Sequence, residues 1–339
     1  PTLAQRGTGL SAISQIALVV CGYWGKNLCR NFHALGSLAA VVDATNNGQS
    51  TARTLAPDAQ ITDSLDDVFR NLQVQGVALA TPAETHAELA IQAMQAGKDV
   101  FVEKPMALTL EDAEKMKMVA EGTDRILMVG HLLEYHPVVL KLREFIASGQ
   151  LGKVNYIYSN RLNFGKVRTE ENALWSFAPH DVAVILRLMG QVPVEVSACG
   201  GSYLTNGIAD TTLSNLRFEN ESRAHIFVSW LHPFKEQRLV VVGDKMMAIF
   251  NDVAPFGEKL QLYPQNVEFD GPIPILKKDD AEFVEHANTE PLREECNHFL
   301  DCIQSRKQPL TNAQSGIDVL KVLHACQQSI EQNGVPVSL

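Results

Sequence analysis

Long hydrophobic runs are absent from the 339-residue sequence. No apolar segment approaches the roughly 18 residues that a membrane-spanning helix needs, so we do not expect a membrane protein. Internal repeats and low-complexity tracts are also absent. With 45% hydrophobic and 20% charged residues, the composition is typical of a globular chain. At roughly 150 residues per domain, this length favours two domains.

Positive charge is scarce. Lys and Arg number 29 against 39 Asp and Glu, which gives a formal net charge of -10. A protein that binds a phosphate backbone usually carries the opposite sign. We therefore expect no nucleic-acid partner.

Cysteine is infrequent as well, with six residues and no Cys-x-x-Cys pair. A chain of this size does not need disulfides, so the sequence predicts reduced thiols and a cytoplasmic location. Residues 1–10 lack the regions of a signal peptide and predict a leading arm. Cys296, Cys302 and Cys326 lie on the apolar faces of predicted terminal helices. They are expected in the core, and no metal site is predicted.

The first third of the chain alternates short buried strands with helical patterns. The predicted strands are Ile16–Val20, Leu38–Asp43, Gly76–Ala80, Asp99–Glu103 and Arg125–Val129. The predicted helices are one ending near Leu35, His86–Ala96 and Leu110–Glu121. This alternation predicts an α/β fold with a doubly wound parallel sheet of the Rossmann type, over residues 13–130.

The pattern changes after about residue 135. A predicted helix is followed by long β segments, at Pro137–Ser148 and then Val154–Asn163, Thr211–Phe218, Arg223–Leu231 and Arg238–Asn251. Apolar and polar residues alternate in Arg223–Trp230, as in an antiparallel sheet with one exposed face. Residues 131–339 are therefore predicted to form a second, α+β domain, whose terminal helices could pack back on the first.

A glycine-containing turn joins the first strand to the first helix. Gly22 and Gly25 match the last two glycines of the dinucleotide-binding fingerprint, but Val20 stands where the first glycine belongs. Asp43 ends the next strand, 21 positions after Gly22, where a carboxylate can bind the adenosine ribose. A carboxylate repels a 2′-phosphate, so the pattern favours NAD over NADP. A plain glycine turn is the alternative, and Val20 crowds the turn if its backbone is unusual.

Lys104 directly follows a predicted strand and precedes Pro105, with which it could form a cis peptide bond. Ligands of parallel sheets bind at this edge. One interpretation is a solvated lysine before a helix. The other is a catalytic ammonium group that stabilises a developing alkoxide. The residues of this segment favour neither.

Four motifs together resemble the Gfo/Idh/MocA oxidoreductase family. They are Gly22-Tyr-Trp-Gly-Lys-Asn27, Ala80-Thr-Pro82 with His86, Glu103-Lys-Pro105 and Pro179-His-Asp181. The resemblance implies an NAD-binding Rossmann domain and a C-terminal domain with an open-faced antiparallel sheet. It also implies oxidation or reduction of a secondary alcohol on a sugar or polyol, by a homodimer or homotetramer.

The resemblance implies roles for particular residues. The cofactor-binding candidates are Gly22, Tyr23, Trp24, Gly25, Lys26, Asn27, Asp43, Thr81, Pro82, His86 and Glu103. Lys104 would orient the substrate and His180 would exchange its proton, titrating near neutrality. Many members carry an Asp where this chain has Ser176. A capped core histidine is the alternative for His180.

Three cations, Arg161, Lys166 and Arg168, lie close together shortly before His180. They suggest an anionic substrate such as a sugar nucleotide or a uronate, and a polar loop is the alternative. The substrate-binding candidates are Tyr135, Arg161, Asn163, Arg168, Trp175 and Ser176.

The pattern resembles the family branch that oxidises UDP-N-acetylglucosamine-type sugars at C3. An inositol or free-sugar dehydrogenase and a non-catalytic NAD-sensing relative are the alternatives. His131 and His136 are five positions apart, which does not match a zinc pair, and they are predicted to pack in a loop.

Overall fold

The computed structural model describes residues 14–164, 167–278 and 280–339. Both the predicted leading arm and Lys166 lie outside the described residues. The chain divides into two compact units that are discontinuous in sequence. The first holds the residues through Glu103, Met118–Met128 and Cys296–Leu310, and the second holds Lys104–Lys117, Val129–Glu295 and Thr311–Leu339.

A six-stranded sheet underlies the Rossmann domain, in the order β3-β2-β1-β4-β5-β6. Its strands are β1 (Gln15–Val19), β2 (Leu38–Val42), β3 (Gln60–Thr62), β4 (Val74–Leu79), β5 (Asp99–Glu103) and β6 (Leu127–Gly130). The connecting helices are α1 (Gly25–Ala34), α2 (Asn46–Leu55), α3 (Leu65–Arg70), α4 (His86–Gln95) and α5 (Leu110–Thr123). β1 pairs in parallel with both β2 and β4. The strand order reverses beside β1, which places the ligand crevice of such a sheet at the carboxyl ends of β1 and β4.

The second unit contains a sheet in the order β14-β13-β12-β11-β7-β10-β9-β8-β16, with β15 paired to β13. Its strands are β7 (Val154–Leu162), β8 (Glu195–Gly201), β9 (Thr211–Arg217), β10 (Arg223–Ser229), β11 (Glu236–Gly243), β12 (Met246–Asn251), β13 (Leu260–Asp270), β14 (Ile273–Lys278), β15 (Glu282–Phe283) and β16 (Val337–Ser338). The remaining helices are α6 (Pro137–Ala147), α7 (Ala173–Met189), α8 (Pro291–Ser305) and α9 (Ala313–Glu331).

The predicted Rossmann-type sheet and second α+β domain are confirmed, with two corrections to the second. Its sheet is mixed rather than antiparallel, because β10 pairs in parallel with β7. The chain passes through α7, β8 and β9 between these strands, and such a long crossover allows parallel pairing. The predicted single strand Arg238–Asn251 is a hairpin of β11 and β12. Its turn is held by Asp244, whose carboxylate accepts a hydrogen bond from the Lys153 backbone N–H.

One face of the second sheet is buried against α7 and α9. Leu216, Ile226 and Ala198 on this face share a core with Ile185 and Leu323 of the helices. The alternating burial along β9, from half-buried to buried to exposed, shows that the opposite face is open.

The predicted core cysteines are confirmed, since Cys296, Cys302 and Cys326 are all buried. Within the described ranges, no helix combines the length and apolar character needed to cross a membrane. In the same part of the chain, no group of three His, Cys, Asp or Glu side chains is placed to hold a metal ion.

Candidate active site

The turn between β1 and α1 has the backbone of a dinucleotide-binding loop. Val20 has φ 72°, the left-handed conformation that glycine adopts without strain. A Cβ on Gly25 would lie 2.0 Å from the Val20 carbonyl oxygen, so only glycine permits this close approach. The unusual conformation considered for Val20 is therefore present, and a branched side chain occupies it.

The N-terminus of α1 is suited to an anion. Trp24 caps the helix without a side-chain hydrogen bond, and the first turn contains no acidic residue. Lys26 Nζ lies 5.5 Å from the centre of the Tyr23 ring, beside the same turn. Free N–H groups and the positive end of a helix dipole attract phosphate. The loop therefore fits the pyrophosphate of a dinucleotide.

Asp43, at the end of β2, is buried and already hydrogen-bonded. One carboxylate oxygen accepts from the Cys21 N–H at 2.8 Å, and the other accepts from the Thr45 hydroxyl at 2.7 Å. Burial raises the pKa of this carboxyl, but the hydrogen bonds from Thr45 and Cys21 outweigh it and the pKa lies below its usual value. Asp43 thus carries a fixed negative charge beside the loop, and its ribose contact stays a prediction.

Replacing Val20 by glycine tests the loop. A branched residue with a left-handed backbone lowers the stability of the folded state by about 1–3 kcal/mol. The flexibility that glycine adds to the unfolded chain lowers it by only about 0.5–1 kcal/mol. We expect Val20→Gly to stay folded and to bind NADH more tightly in a fluorescence titration, because the Cβ no longer crowds the turn. Glu221→Gly is the matched control, since Glu221 has φ 65° in another turn and should leave NADH affinity unchanged. An unchanged or weaker affinity of Val20→Gly would contradict the prediction.

Two more segments of the first unit reach the same edge of the sheet. After β4, His86 Nε2 lies 2.9 Å from the carbonyl oxygen of Thr81, in the turn that contains Pro82. At the end of β5, Glu103 accepts a hydrogen bond of 2.5 Å from the Trp24 indole N–H. The second contact ties the dinucleotide loop to the residue that precedes Lys104.

Lys104 and His180 come together in the second unit. The Lys104–Pro105 peptide bond is cis. Lys104 Nζ donates a 3.2 Å hydrogen bond to the backbone carbonyl of Ser176, which lies one turn before His180 on α7. Ser176 therefore contacts Lys104 through its backbone carbonyl oxygen.

His180 is half-buried, and its Nδ1 atom is buried without a hydrogen-bond partner among the described residues. Burial lowers the pKa of His180 well below 6.5. Electrostatic interactions with Lys104, and then with Arg161 and His131, lower it further. The ring is therefore neutral at physiological pH and able to accept a proton. The expected titration near neutrality is wrong, because the surroundings of the ring disfavour its charged form.

Arg161 contacts Asp181 instead of presenting a free cation. Its Nε atom lies 2.6 Å from Asp181 Oδ2 and its Nη2 atom 3.1 Å from Oδ1. Ser159 also donates to this carboxylate, at 2.6 Å. Since Asp181 follows His180 directly, the paired guanidinium holds the α7 turn that carries His180. An anion contact by Arg161 stays a prediction.

The other substrate-binding candidates are spread over the second unit. Arg168 Nε lies 3.0 Å from a carboxylate oxygen of Glu171, so its charge is partly offset. Tyr135 is buried with its hydroxyl 2.9 Å from that of Thr311. The Asn163 backbone N–H donates to Ser229 at the ends of β7 and β10.

Trp175, at the start of α7, packs edge-on against His324 of α9, with ring centres 5.0 Å apart. This contact fixes the first turn of α7 against α9. The structure therefore brings Trp175 close to Ser176 and His180 along one helix, and its contact with substrate stays a prediction.

His131 was predicted from the sequence to pack in a loop, without a role in the site. It follows β6 directly, and it is buried with neither ring nitrogen hydrogen-bonded to any described residue. Burial, then the charges of Lys104 and Arg187, lower its pKa to about 3. The position after a strand that neighbours the Lys104 strand is the signal that could have identified it.

The fold and the loop define a dinucleotide-binding protein of the oxidoreductase class. A model of the Gfo/Idh/MocA oxidoreductase family with NAD-binding Rossmann fold matches residues 14–131, and the C-terminal domain model of the same family matches residues 139–249. Together they cover about two thirds of the chain. The protein belongs to the Gfo/Idh/MocA family, and its cofactor is NAD.

Two relatives of the chain have different named activities, one a hydratase and the other a dehydrogenase. The chain is 29% identical over 68% of its length to a 2,7-anhydro-N-acetylneuraminate hydratase of Mediterraneibacter gnavus, but the match spans only 65% of that protein. It is 25% identical to UDP-N-acetylglucosamine 3-dehydrogenase of Acidithiobacillus ferrooxidans, over 91% of this chain and 95% of that one.

Solved structures show the same fold. That of the Acidithiobacillus enzyme matches with a TM-score of 0.83 and 24% identity, covering 94% of this chain and 97% of that one. GenD2 from gentamicin A biosynthesis, in complex with NAD, matches with a TM-score of 0.81 and 21% identity, covering 100% and 99%.

The fixed charge of Asp43 leads to a prediction of cofactor preference. We expect NAD to be preferred over NADP by at least tenfold, or about 1.4 kcal/mol, because the carboxylate repels a 2′-phosphate. Turnover with each cofactor at matched concentrations measures this. Asp43→Asn keeps a side-chain hydrogen-bond acceptor for the loop but removes the negative charge, so it should reduce the preference for NAD over NADP. Equal turnover of the wild-type protein with both cofactors would contradict the expectation.

Proposed function

We propose that the protein is an NAD-dependent dehydrogenase that oxidises or reduces a secondary alcohol of a sugar or sugar nucleotide. One observation carries this proposal. The hydrogen bond from Lys104 to the Ser176 carbonyl holds an ammonium group one helical turn from a neutral, half-buried histidine. A fixed cation beside a proton acceptor is the pair that alcohol oxidation requires.

Each residue of the pair has its own task. When bound, NAD supplies the nicotinamide that accepts the hydride from the alcohol carbon. Lys104 binds the alcohol oxygen and stabilises the negative charge that develops on it. His180 accepts the hydroxyl proton, and the Arg161–Asp181 ion pair keeps the helical turn of His180 in place. The cofactor itself would be held by the α1 N-terminus and its glycine loop.

The substrate we favour is a UDP-N-acetylhexosamine or its uronate, oxidised at C3. The support is the similarity to UDP-N-acetylglucosamine 3-dehydrogenase along 91% of this chain. A second candidate is inositol or a free sugar. It is favoured by the pairing of Arg161 with Asp181 and of Arg168 with Glu171, which leaves less positive charge for an anionic substrate.

The test is turnover by the purified protein. NADH formation is followed by absorbance with NAD and a panel of UDP-sugars, free sugars and inositols. We expect turnover with a UDP-N-acetylhexosamine or its uronate. Turnover confined to inositol or free sugars would support the second candidate. No turnover with any member, despite NADH binding, would support a non-catalytic NAD-binding protein.

We further propose a homodimer or homotetramer in the cytoplasm. The open face of the second sheet carries large apolar side chains, including Leu213, Phe227 and Tyr156, and such faces are typical of subunit interfaces. The low number of cysteines, six in 339 residues without a Cys-x-x-Cys pair, suits a reducing compartment. Sedimentation of the purified chain tests the assembly, and a monomer at micromolar concentration would contradict it.

A further inference from the structure

Three buried ring nitrogens in the second unit have no hydrogen-bond partner among the described residues. They are both nitrogens of His131 and Nδ1 of His180. His131 is 2% exposed, so bulk water does not satisfy its ring. A buried polar group without a partner destabilises the folded protein, and its presence calls for an explanation. A ligand that completes the hydrogen bonding is one such explanation.

The topology places His131 beside the candidate catalytic pair. Lys104 directly follows β5 and His131 directly follows β6, and these strands are neighbours in the sheet. Both side chains therefore leave the sheet at the same edge. The charge of Lys104 acts on the rings of both His131 and His180, and His131 also acts on His180.

The charge state of His131 indicates the chemistry of the group it could bind. With its pKa lowered to about 3, the ring is neutral and carries one donor and one acceptor nitrogen. A hydroxyl group is also both donor and acceptor, and so it can bond with either ring nitrogen. A carboxylate or phosphate only accepts, so it can bond with the donor nitrogen alone.

We propose that His131 is a substrate-binding residue whose ring binds a second hydroxyl group of the sugar, beside the hydroxyl on which Lys104 and His180 act. This inference rests on the proposed function, because it needs a substrate with more than one hydroxyl group. His131 lies outside the four family motifs, and the inference makes it a residue that contributes to substrate specificity.

Replacing His131 by leucine separates binding from packing. Leucine fills a similar volume without polar atoms, so His131→Leu should unfold at the same or a higher urea concentration than the wild type. Its KM for the sugar should rise about tenfold or more, with NADH affinity unchanged. His131→Asn keeps one donor and one acceptor and should recover part of the KM.

His298 offers a matched control. It is a histidine whose Nε2 accepts a 2.9 Å hydrogen bond from the Leu310 N–H in the first unit. His298→Leu should unfold at a lower urea concentration and keep the wild-type KM, the opposite pattern to that of His131→Leu.

The results separate this inference from the proposed function. A wild-type protein that turns over none of the sugars contradicts the proposed function, and the inference with it. A wild-type protein that is active, while His131→Leu keeps the same KM or unfolds at lower urea, contradicts the inference alone. In that case His131 is a packing residue or binds only water.

Discussion

Removing the imidazole of His180 is expected to lower the turnover number by about 10²- to 10⁴-fold, because general-base catalysis contributes rate factors of this size. The neutral ring is the proposed proton acceptor, and the neighbouring carboxylate of Asp181 on α7 is already held by Arg161 and Ser159. Ser176 lies one turn away, but an unassisted hydroxyl is a poor base at neutral pH. Stopped-flow or steady-state absorbance of NADH measures the loss for His180→Ala.

The pH profile gives this prediction a second readout. A histidine base works only when neutral, so activity is lost as the pH falls through its pKa. Because burial and the charge of Lys104 place that pKa well below 6.5, kcat/KM for sugar oxidation should be flat around neutrality and fall only in acid. His180→Ala should lack this acid limb.

A control and a contradicting outcome complete the test. His33→Ala changes a half-buried histidine in the last turn of α1 and should keep wild-type activity and pH dependence. NADH affinity should be unchanged in His180→Ala, since His180 is not proposed to hold the adenosine half. Near wild-type turnover by His180→Ala on the true substrate would show that another group takes the proton.

The parallel sheet was predictable because its strands are buried on both faces and read as continuous apolar runs. The predicted strand Asp99–Glu103 has the same bounds in the structure. The hairpin of β11 and β12 was missed, although Gly243-Asp244-Lys245 interrupts the apolar residues between the two strands as a turn does. β8 was missed because Ser197, Gly200 and Gly201 weaken its strand pattern.

Some features of the candidate site could be identified from the sequence, and others depend on contacts between distant residues. Lys104 and His180 stand in short local motifs, so the sequence alone could identify them as candidates. The pairing of Arg161 with Asp181 joins residues 20 positions apart, and no local pattern reports that contact. Two of the cations that suggested an anionic substrate, Arg161 and Arg168, are therefore partly neutralised by carboxylates.

The importance of His131 and the energetic cost of Val20 also depend on the three-dimensional structure. A single histidine after a strand forms no motif, and its importance follows from the order of β5 and β6 in the sheet. Val20 is visible in the sequence as a missing glycine, but its cost depends on a backbone angle. That angle, φ 72°, is a property of the turn rather than of the residue type.

Removing the charge of Lys104 should slow the reaction about 10²- to 10³-fold, the loss typical of one electrostatic donor to a developing oxyanion. Lys104→Ala removes the whole side chain, whereas Lys104→Met keeps its apolar part and isolates the contribution of the charge. Both should keep NADH affinity. Both should also raise the pKa of His180, because a positive neighbour is lost, so the acid limb of kcat/KM should move toward neutrality.

The fall in turnover distinguishes a catalytic lysine from one that only fastens α7, because the charge of Lys104 acts on the pKa of His180 in both cases. If Lys104 only fastens α7 through the Ser176 carbonyl, its removal should lower stability in urea while the folded variant keeps near wild-type turnover. Lys141→Ala is the matched control, since Lys141 is paired with Glu144 on the exposed side of α6 and should leave rate and profile unchanged. If Lys104→Met keeps near wild-type turnover, the alkoxide is stabilised by another group and the proposed pair is wrong.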